Sequence, residues 1–298
     1  MTSQQQGSPG LDERVRQRGV PPGQVSAWWL GGAGFIFKTP AGTQLFVDPY
    51  LSDVVNEIFG QRRAFPPPLT AEQSRPDVLI CTHWHEDHLD PGSIPIIARN
   101  NPDTPLLMPP SAMARAVSWG VPRRQITTLK AGQSLTVKDL NISAVAARHN
   151  AGLEGWEVYD GVCPILEIEG MKIFFSGDTE YDTSLRKLRA LGLHGAFLSI
   201  NGVGGNMNAH EAALLAWQWG VRTVVPMHHY LWQDRTGGDE ATLDPELLDR
   251  TYSKLGGTGR VIFPIVGREI VLTRNADAGE GETKSKEENR VNTGEPRT

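Results

Sequence analysis

The chain has 298 residues, enough for one large domain with a sizeable core or for two small ones. A formal charge of −5, with Lys and Arg in nothing longer than pairs, excludes a general binder of nucleic acid or anionic membranes. Two cysteines exclude a disulfide scaffold and a four-cysteine zinc site, and no stretch approaches the ~18 apolar residues of a membrane span.

In chain order, residues 1–24 are polar, interrupted by Pro21 and Pro22, and read as an N-terminal extension. They lack the apolar core of a signal peptide, so a cytoplasmic location is expected. SAWWLGGAGFIFKT (26–39) reads as two strands joined by a glycine turn. TQLFVD, DVLICTH, ISAVAARHN, MKIFFSGD and RTVVPMHH follow as short apolar runs of strand type. Between them lie capped helices. Asp90 with Pro91 predicts a helix through Ala98, Asn208 with Glu211 a capping box on a helix that stops at Gly220, and Asp244 with Pro245 a helix ending near Gly256. From Asn275 to Thr298 the only β-branched aliphatic residue is Val291 and there are no aromatics, so this tail is expected to be disordered. One domain over 25–274, with an α/β or α+β architecture of sheets covered by helices, is the simplest reading.

Five of the strands are followed by a metal-capable or carboxylate residue. Asp48 follows TQLFV, His83 follows DVLICT, His149 follows ISAVAAR, Asp178 follows MKIFFSG and His228 follows TVVPM. Ends of neighbouring strands converge at one rim of a sheet, where a rigid scaffold can bring such side chains together. The segment CTHWHEDHLD (81–90) adds three histidines, more than a solvated face needs, among carboxylates that a packed core would not tolerate. In an extended segment His83 and His85 point the same way and can grip one ion, whereas Asp87 and His88 project from the following turn and suit a second ion beside it. Other metal and nucleophile patterns fail on spacing. His85-Glu86-Asp87-His88 is one residue short of H-E-x-x-H, and no G-x-S-x-G elbow, P-loop or G-x-G-x-x-G is present.

His83-x-His85-x-Asp87-His88, followed in order by His149, Asp178 and His228, resembles the metallo-β-lactamase superfamily. WWLGGAGFIFKT, FVDPYLSD, THWHEDHLDP, FFSGDTEYD and VVPMHHYLW look like its L-ascorbate-6-phosphate lactonase-like branch. The resemblance implies an αββα four-layer sandwich with a binuclear site at the sheet edges. It would give His83, His85 and His149 to a first metal and Asp87, His88 and His228 to a second, with Asp178 bridging and Asp48 fixing the loop from behind. It implies manganese, with zinc also compatible with imidazole and carboxylate ligands.

Two cations sharing a water lower its pKa toward ~7, which supplies hydroxide at neutral pH, with Asp87 to orient it or accept its proton. The expected reaction is hydrolytic opening of a lactone or related ester, with a sugar-phosphate lactone as one form, on a small-molecule substrate. A phosphodiesterase acting on a small molecule, a phospholipid or an RNA end is the alternative within enzymes. A non-catalytic metal-binding or sensing protein is the alternative outside them. Homo-oligomers are common among relatives.

Several other residues are read in two ways. His229 is a hydrogen-bonding neighbour or a substrate contact, His210 a helix-start residue or a rim contact, and His194 a loop residue. Cys81 is expected to be packed. Trp84, Trp156 and Trp232 line a pocket or cover the core, and Arg148 and Arg235 hold a substrate phosphate or are ordinary surface residues.

Overall fold

A computed structural model describes residues 9–150, 155–233 and 244–274. The tail from Asn275 and Arg235 lie outside the described residues. The strands are β1 (Gln24–Gly31), β2 (Gly34–Lys38), β3 (Gln44–Val47), β4 (Val78–Ile80), β5 (Leu106–Met108), β6 (Ile126–Thr128), β7 (Ser134–Val137), β8 (Leu140–Ala146), β9 (His149–Asn150), β10 (Glu157–Val158), β11 (Val162–Ile168), β12 (Met171–Phe175), β13 (Gly195–Ser199), β14 (Thr223–Met227), β15 (Arg260–Val261) and β16 (Glu269–Thr273). The α-helices are α1 (Leu11–Gln17), α2 (Val54–Phe59), α3 (Ile94–Asn100), α4 (Pro110–Ser118), α5 (Ala209–Trp219) and α6 (Pro245–Lys254).

Two seven-stranded mixed sheets face each other, in the orders β16-β1-β2-β3-β4-β5-β6 and β15-β14-β13-β12-β11-β8-β7. The alternation of side chains along each strand builds the layers. Val25, Ala27 and Trp29 of β1 and Phe35 and Phe37 of β2 point inward, to a core shared with Ile173 and Phe175 of β12, Phe197 of β13 and Val225 of β14. The intervening Trp28, Leu30 and Ile36 point outward and are covered by α1, α3 and α4. On the far sheet, outward Phe174, Ala196 and Leu198 are covered by α5 and α6. The result is a four-layer αββα sandwich, whose central strands β1, β2, β13 and β14 read as continuous apolar runs because both their faces are buried.

Local chemistry explains most element boundaries. The Asn208 side chain accepts the His210 and Glu211 N–H groups, the Glu211 carboxylate accepts the Asn208 N–H, and the helix stops at Gly220 in the left-handed conformation. Asp244 caps α6 by accepting the Glu246 N–H. The predicted helix from Asp90 starts instead at Ile94 and runs to Asn100. Asp90 is drawn off by stronger work. Its carboxylate accepts from the Leu51, Ser52 and Gly92 N–H groups and from the Ser52 and Ser93 hydroxyls, so it ties two loops together. Within the N-terminal extension, Leu11 and Val15 sit four apart on α1 and are buried in the outer layer, while Lys38 Nζ donates to the Val15 and Arg16 carbonyls. No helix among the described residues is long and apolar enough to cross a membrane.

Candidate metal centre

Strand polarity decides where the five strand-end residues go. β3 and β4 run parallel, and β12, β13 and β14 run parallel. β8 is antiparallel to β11, which is antiparallel to β12, so β8 runs with β12. The C-terminal ends of β3 and β4 in one sheet, and of β8, β12 and β14 in the other, therefore meet at one edge of the sandwich. Two of the turns leaving that edge are held at positive φ by non-glycine residues, Asp48 at 46° and His228 at 59°. Such backbone strain persists where its surroundings over-determine it. Asp48 N–H donates to the Ile80 carbonyl and His228 N–H to the Gly32 carbonyl, each 2.9 Å away. The second bond gives the glycine hairpin between β1 and β2 a task. Gly31 and Gly32 adopt φ of 100° and 57°, which turns the Gly32 carbonyl to His228.

Three clusters form at this edge, each with its ligand atoms within 4.8 Å of one another: His83, His85 and His149; His83, His88 and Asp178; and Asp87, His88 and His228. In the first, His85 Nδ1 lies 2.9 Å from His83 Nε2 and 3.1 Å from His149 Nε2. The outer nitrogens have partners of their own: His83 Nδ1 faces Thr82 Oγ1 at 3.1 Å, His85 Nε2 the Trp156 carbonyl at 3.1 Å, and His149 Nδ1 the Gly205 carbonyl at 3.4 Å. A neutral imidazole carries one N–H, and these acceptors assign it to the outer nitrogen. The three inner nitrogens are then lone pairs turned toward one point. Burial holds His83 well below the ordinary imidazole value and takes His85 to about 4, with neighbouring imidazoles adding to both effects.

The second cluster is rich in charge. Asp178 Oδ2 lies 3.7 Å from His149 Nε2, while its Oδ1 lies 3.3 Å from His88 Nε2 and 3.4 Å from His228 Nε2. Asp87 Oδ2 lies 3.2 Å from His228 Nε2 and 3.8 Å from His88 Nε2. Burial pushes Asp87 up, but the His88 and His228 imidazoles outweigh it and bring the carboxyl down to about 2. The same balance holds Asp178 well below the usual range. Burial alone would strip the proton from His88, yet Asp178, Asp87 and Asp48 outweigh it and hold that ring well above its ordinary value; His228 is raised in the same way.

Behind both clusters stands Asp48, fully buried. Its Oδ1 accepts the Thr82 N–H at 2.7 Å, and its Oδ2 accepts the Thr82 hydroxyl at 2.7 Å and His88 Nδ1–H at 2.8 Å. Burial pushes the carboxyl up and these donors pull it part-way back; with three carboxylates around His88, the shared proton sits on the imidazole.

The arrangement fits divalent cations on a direct observation. His88 Nε2, Asp178 Oδ1 and His228 Nε2 are buried and make no hydrogen bond of good geometry among the described residues; they meet one another only as ion pairs at 3.3–3.4 Å through Asp178. Buried polar atoms without partners are costly, and a bound cation removes that cost for all three at once. Ligand groups of imidazole and carboxylate suit zinc, iron or manganese.

Other sequence candidates fall elsewhere. His229 is buried with its ring 5.0 Å from Trp29, and burial takes it to about 4. His210 bonds Thr251 between α5 and α6, and His194 Nδ1 accepts the Lys172 N–H. Arg148 pairs with Asp182 at the surface. Cys81 and Cys163 are free and buried. Trp84 lies beneath His85, with the Arg115 guanidinium 3.8 Å over its ring. Trp156 and Trp232 line a cavity of about 250 Å³ that reaches Asp87. Sequence reasoning did not find the Trp156 and Gly205 carbonyls, since a backbone acceptor carries no residue signature. It also passed over buried Arg63, which donates to the Tyr50, Leu30 and Phe65 carbonyls and so joins the loops around the site.

Comparison with known proteins agrees with this geometry. The sequence pattern of the beta-lactamase superfamily domain matches residues 43–229. A protein of Salmonella choleraesuis (strain SC-B67) named probable L-ascorbate-6-phosphate lactonase is 25% identical, the match covering 75% of this chain and 75% of that one. Igni18, a metallo hydrolase of Ignicoccus hospitalis KIN4/I, superposes with a TM-score of 0.62 at 18% identity, over 84% of this chain and 98% of that one. The metallo-beta-lactamase fold protein YhfI of Bacillus subtilis superposes with a TM-score of 0.60 at 16% identity, over 83% and 99%. At such identities the superpositions speak for the fold alone, but the pattern match spans well over half of the chain and contains His83, His85, Asp87, His88, His149, Asp178 and His228. The chain belongs to the beta-lactamase superfamily and is a hydrolase of the metallo-β-lactamase fold.

Proposed function

We propose that this protein is a binuclear metal-dependent hydrolase that opens a lactone or a related ester. His83 Nε2, His85 Nδ1 and His149 Nε2 would hold one divalent ion, manganese or zinc. Asp87 Oδ2, His88 Nε2 and His228 Nε2 would hold the other, and Asp178 would serve both, its two oxygens facing different clusters. The observation that carries the reading is the set of partnerless buried atoms on His88, Asp178 and His228, which converge where a cation would sit. The lactone is suggested by the name of the Salmonella relative.

Bound ions would supply a water of lowered pKa, toward ~7, and a Lewis acid for the substrate carbonyl. The remaining work falls to the chain. Asp87 is ionised and partly exposed, and it borders the cavity, so its carboxylate is placed to orient the attacking water and take its proton. Asp48 keeps His88 and, through Thr82, His83 in the orientation that turns their Nε2 atoms inward. Trp156 closes one side of the cluster, its ring 4.9 Å from the His85 ring, and keeps bulk water from it.

The test is elemental analysis of the purified chain beside His83→Ala and Asp178→Ala variants. About two manganese or zinc ions per chain are expected, with loss of metal and of lactone hydrolysis in both variants. A chain that carries no metal and takes none up on reconstitution would overturn the reading. Metal bound and lost as expected, without turnover of any lactone, ester or phosphodiester, would instead point to a metal-binding protein without catalysis.

A further inference from the structure

Beside the clusters lies a cavity of about 250 Å³. Val55 and Phe59 of α2, with Trp156 and Trp232, form its apolar wall, and Gln61, Glu86 and Asp87 are its polar groups. Among the described residues no lysine or arginine lines it. Arg115, which meets the cavity's Glu86, is occupied: its Nη1 lies 3.4 Å from Glu86 Oε1 and its guanidinium is stacked on Trp84. Of the two arginines the sequence offers for a phosphate, Arg148 pairs with Asp182 and Arg235 lies outside the described residues. The cavity touches both halves of the candidate centre. Asp87 belongs to it directly, and Trp156 lines it while its carbonyl holds His85.

We infer that this cavity is the specificity pocket of the hydrolase and that it takes an uncharged, apolar substituent, a single aromatic ring or a short alkyl chain, while disfavouring a phosphate. Size supports this. An enclosed cavity of ~150 Å³ suffices for benzene, so this one has room for a substituted ring. Shape supports it too. Phe59 and Trp156 meet edge-to-face at 4.9 Å, leaving aromatic surfaces against which a ring can pack. Charge weighs against the alternative. A phosphate dianion here would face the Glu86 and Asp87 carboxylates, with no lysine or arginine among the described lining residues to receive it, and like charges brought together cost affinity. The substrate would therefore differ from the phosphorylated lactone in the name of the Salmonella relative. Phe59, at the end of α2 and 43% exposed, would be the specificity-determining side chain at the mouth.

This inference rests on the hydrolase reading, and two measurements separate them. The first is binding to the metal-free full chain, by calorimetry, of two five-membered cyclic ethers that cannot be hydrolysed, one carrying a phenyl group and one a phosphate. The phenyl ether should bind about a hundredfold more tightly than the phosphate ether. Phe59→Ala should weaken the phenyl ether about tenfold, the worth of an aromatic contact. Gln61→Arg should improve the phosphate ether without improving the phenyl one. The second is turnover of the corresponding lactones by the metal-loaded chain, with the phenyl lactone expected to have the higher kcat/KM. Equal or tighter binding of the phosphate ether, or no binding of either, would overturn the pocket assignment and leave the hydrolase reading standing. Binding as expected with no lactone turnover would keep the pocket and overturn the reaction.

Discussion

Thr82 and Asp48 form a chain of hydrogen bonds that serves both clusters. His83 Nδ1 donates to the Thr82 hydroxyl, the hydroxyl donates to Asp48 Oδ2, and that oxygen also accepts from His88 Nδ1. The two links should be separable. Thr82→Val leaves Asp48 on His88 but removes the acceptor of His83, so affinity at the first position should fall by about 10- to 100-fold with the second little changed. Asp48→Ala should weaken both, and Thr82→Ser should restore the first. Competition against a chromophoric chelator reads the two affinities, and equal loss at both positions in Thr82→Val would contradict the chain. Protons compete differently at the two positions as well. His83 and His85 are held neutral, His85 down to about 4, so an ion there displaces no proton from either ring near neutrality. The surrounding carboxylates raise His88 well above, and His228 above, the ordinary imidazole value, so an ion there competes with protons that these rings hold more tightly. Lowering the pH from 8 to 6 should therefore weaken the second ion strongly and the first only slightly. Identical pH slopes in a stepwise titration of the metal-free protein would contradict this.

Turns, more than strands, give the elements their function. β12 is followed by Ser176-Gly177-Asp178, where Gly177 adopts φ of 52° and a Cβ there would lie 2.7 Å from Thr82 Oγ1. The glycine is required twice, for its backbone and for the approach of one sheet's edge to the other. Gly177→Ala should push Asp178 away from the centre and disturb Thr82, destabilising the fold by about 1–3 kcal/mol. Thermal melts and metal content should fall together, and an unchanged metal stoichiometry would show that the turn does not set Asp178. Asp90 makes the same point from the opposite side. Its pairing with Pro91 reads as a helix start, yet it accepts five hydrogen bonds and fastens the 51–52 loop to the 92–93 turn, and α3 begins only at Ile94. Local sequence weighs an aspartate before proline as a cap because it cannot register donors forty residues away.

Across the whole molecule the candidate centre is a joint between two sheets. Asp48 and His83 to His88 leave the first sheet at β3 and β4, while His149, Asp178 and His228 leave the second at β8, β12 and β14. Ions held by both would tie the sandwich along that edge, so binding should appear as stability. A ligand at a hundredfold excess over its Kd adds ~2.7 kcal/mol. For a chain of this size that corresponds to a rise in Tm of about 5–10 °C over chelator-treated protein. Calorimetry of loaded, chelated and Asp178→Ala protein checks it; bound metal with no rise in Tm would mean that the site is not shared between the sheets in solution.

Much of this protein is written locally. Apolar runs of strand length, the Asn208–Glu211 box and the Asp244–Pro245 start place their elements because backbone preference and capping act over a few residues. The recurrence of histidine or aspartate after five strands, and the alternation in THWHEDH, mark the candidate ligands for the same reason: neighbours along the chain remain neighbours in space. What only the tertiary structure decided lies between distant segments. The two oxygens of Asp178 face different clusters, Trp156 and Gly205 lend carbonyls to His85 and His149, and the Asp48–Thr82 link joins the clusters. The aromatic cavity gathers α2, Trp156 and Trp232 from three parts of the chain. Each depends on the packing of the two sheets, because hydrogen bonds and cavities are set by distance in space, which sequence separation does not encode.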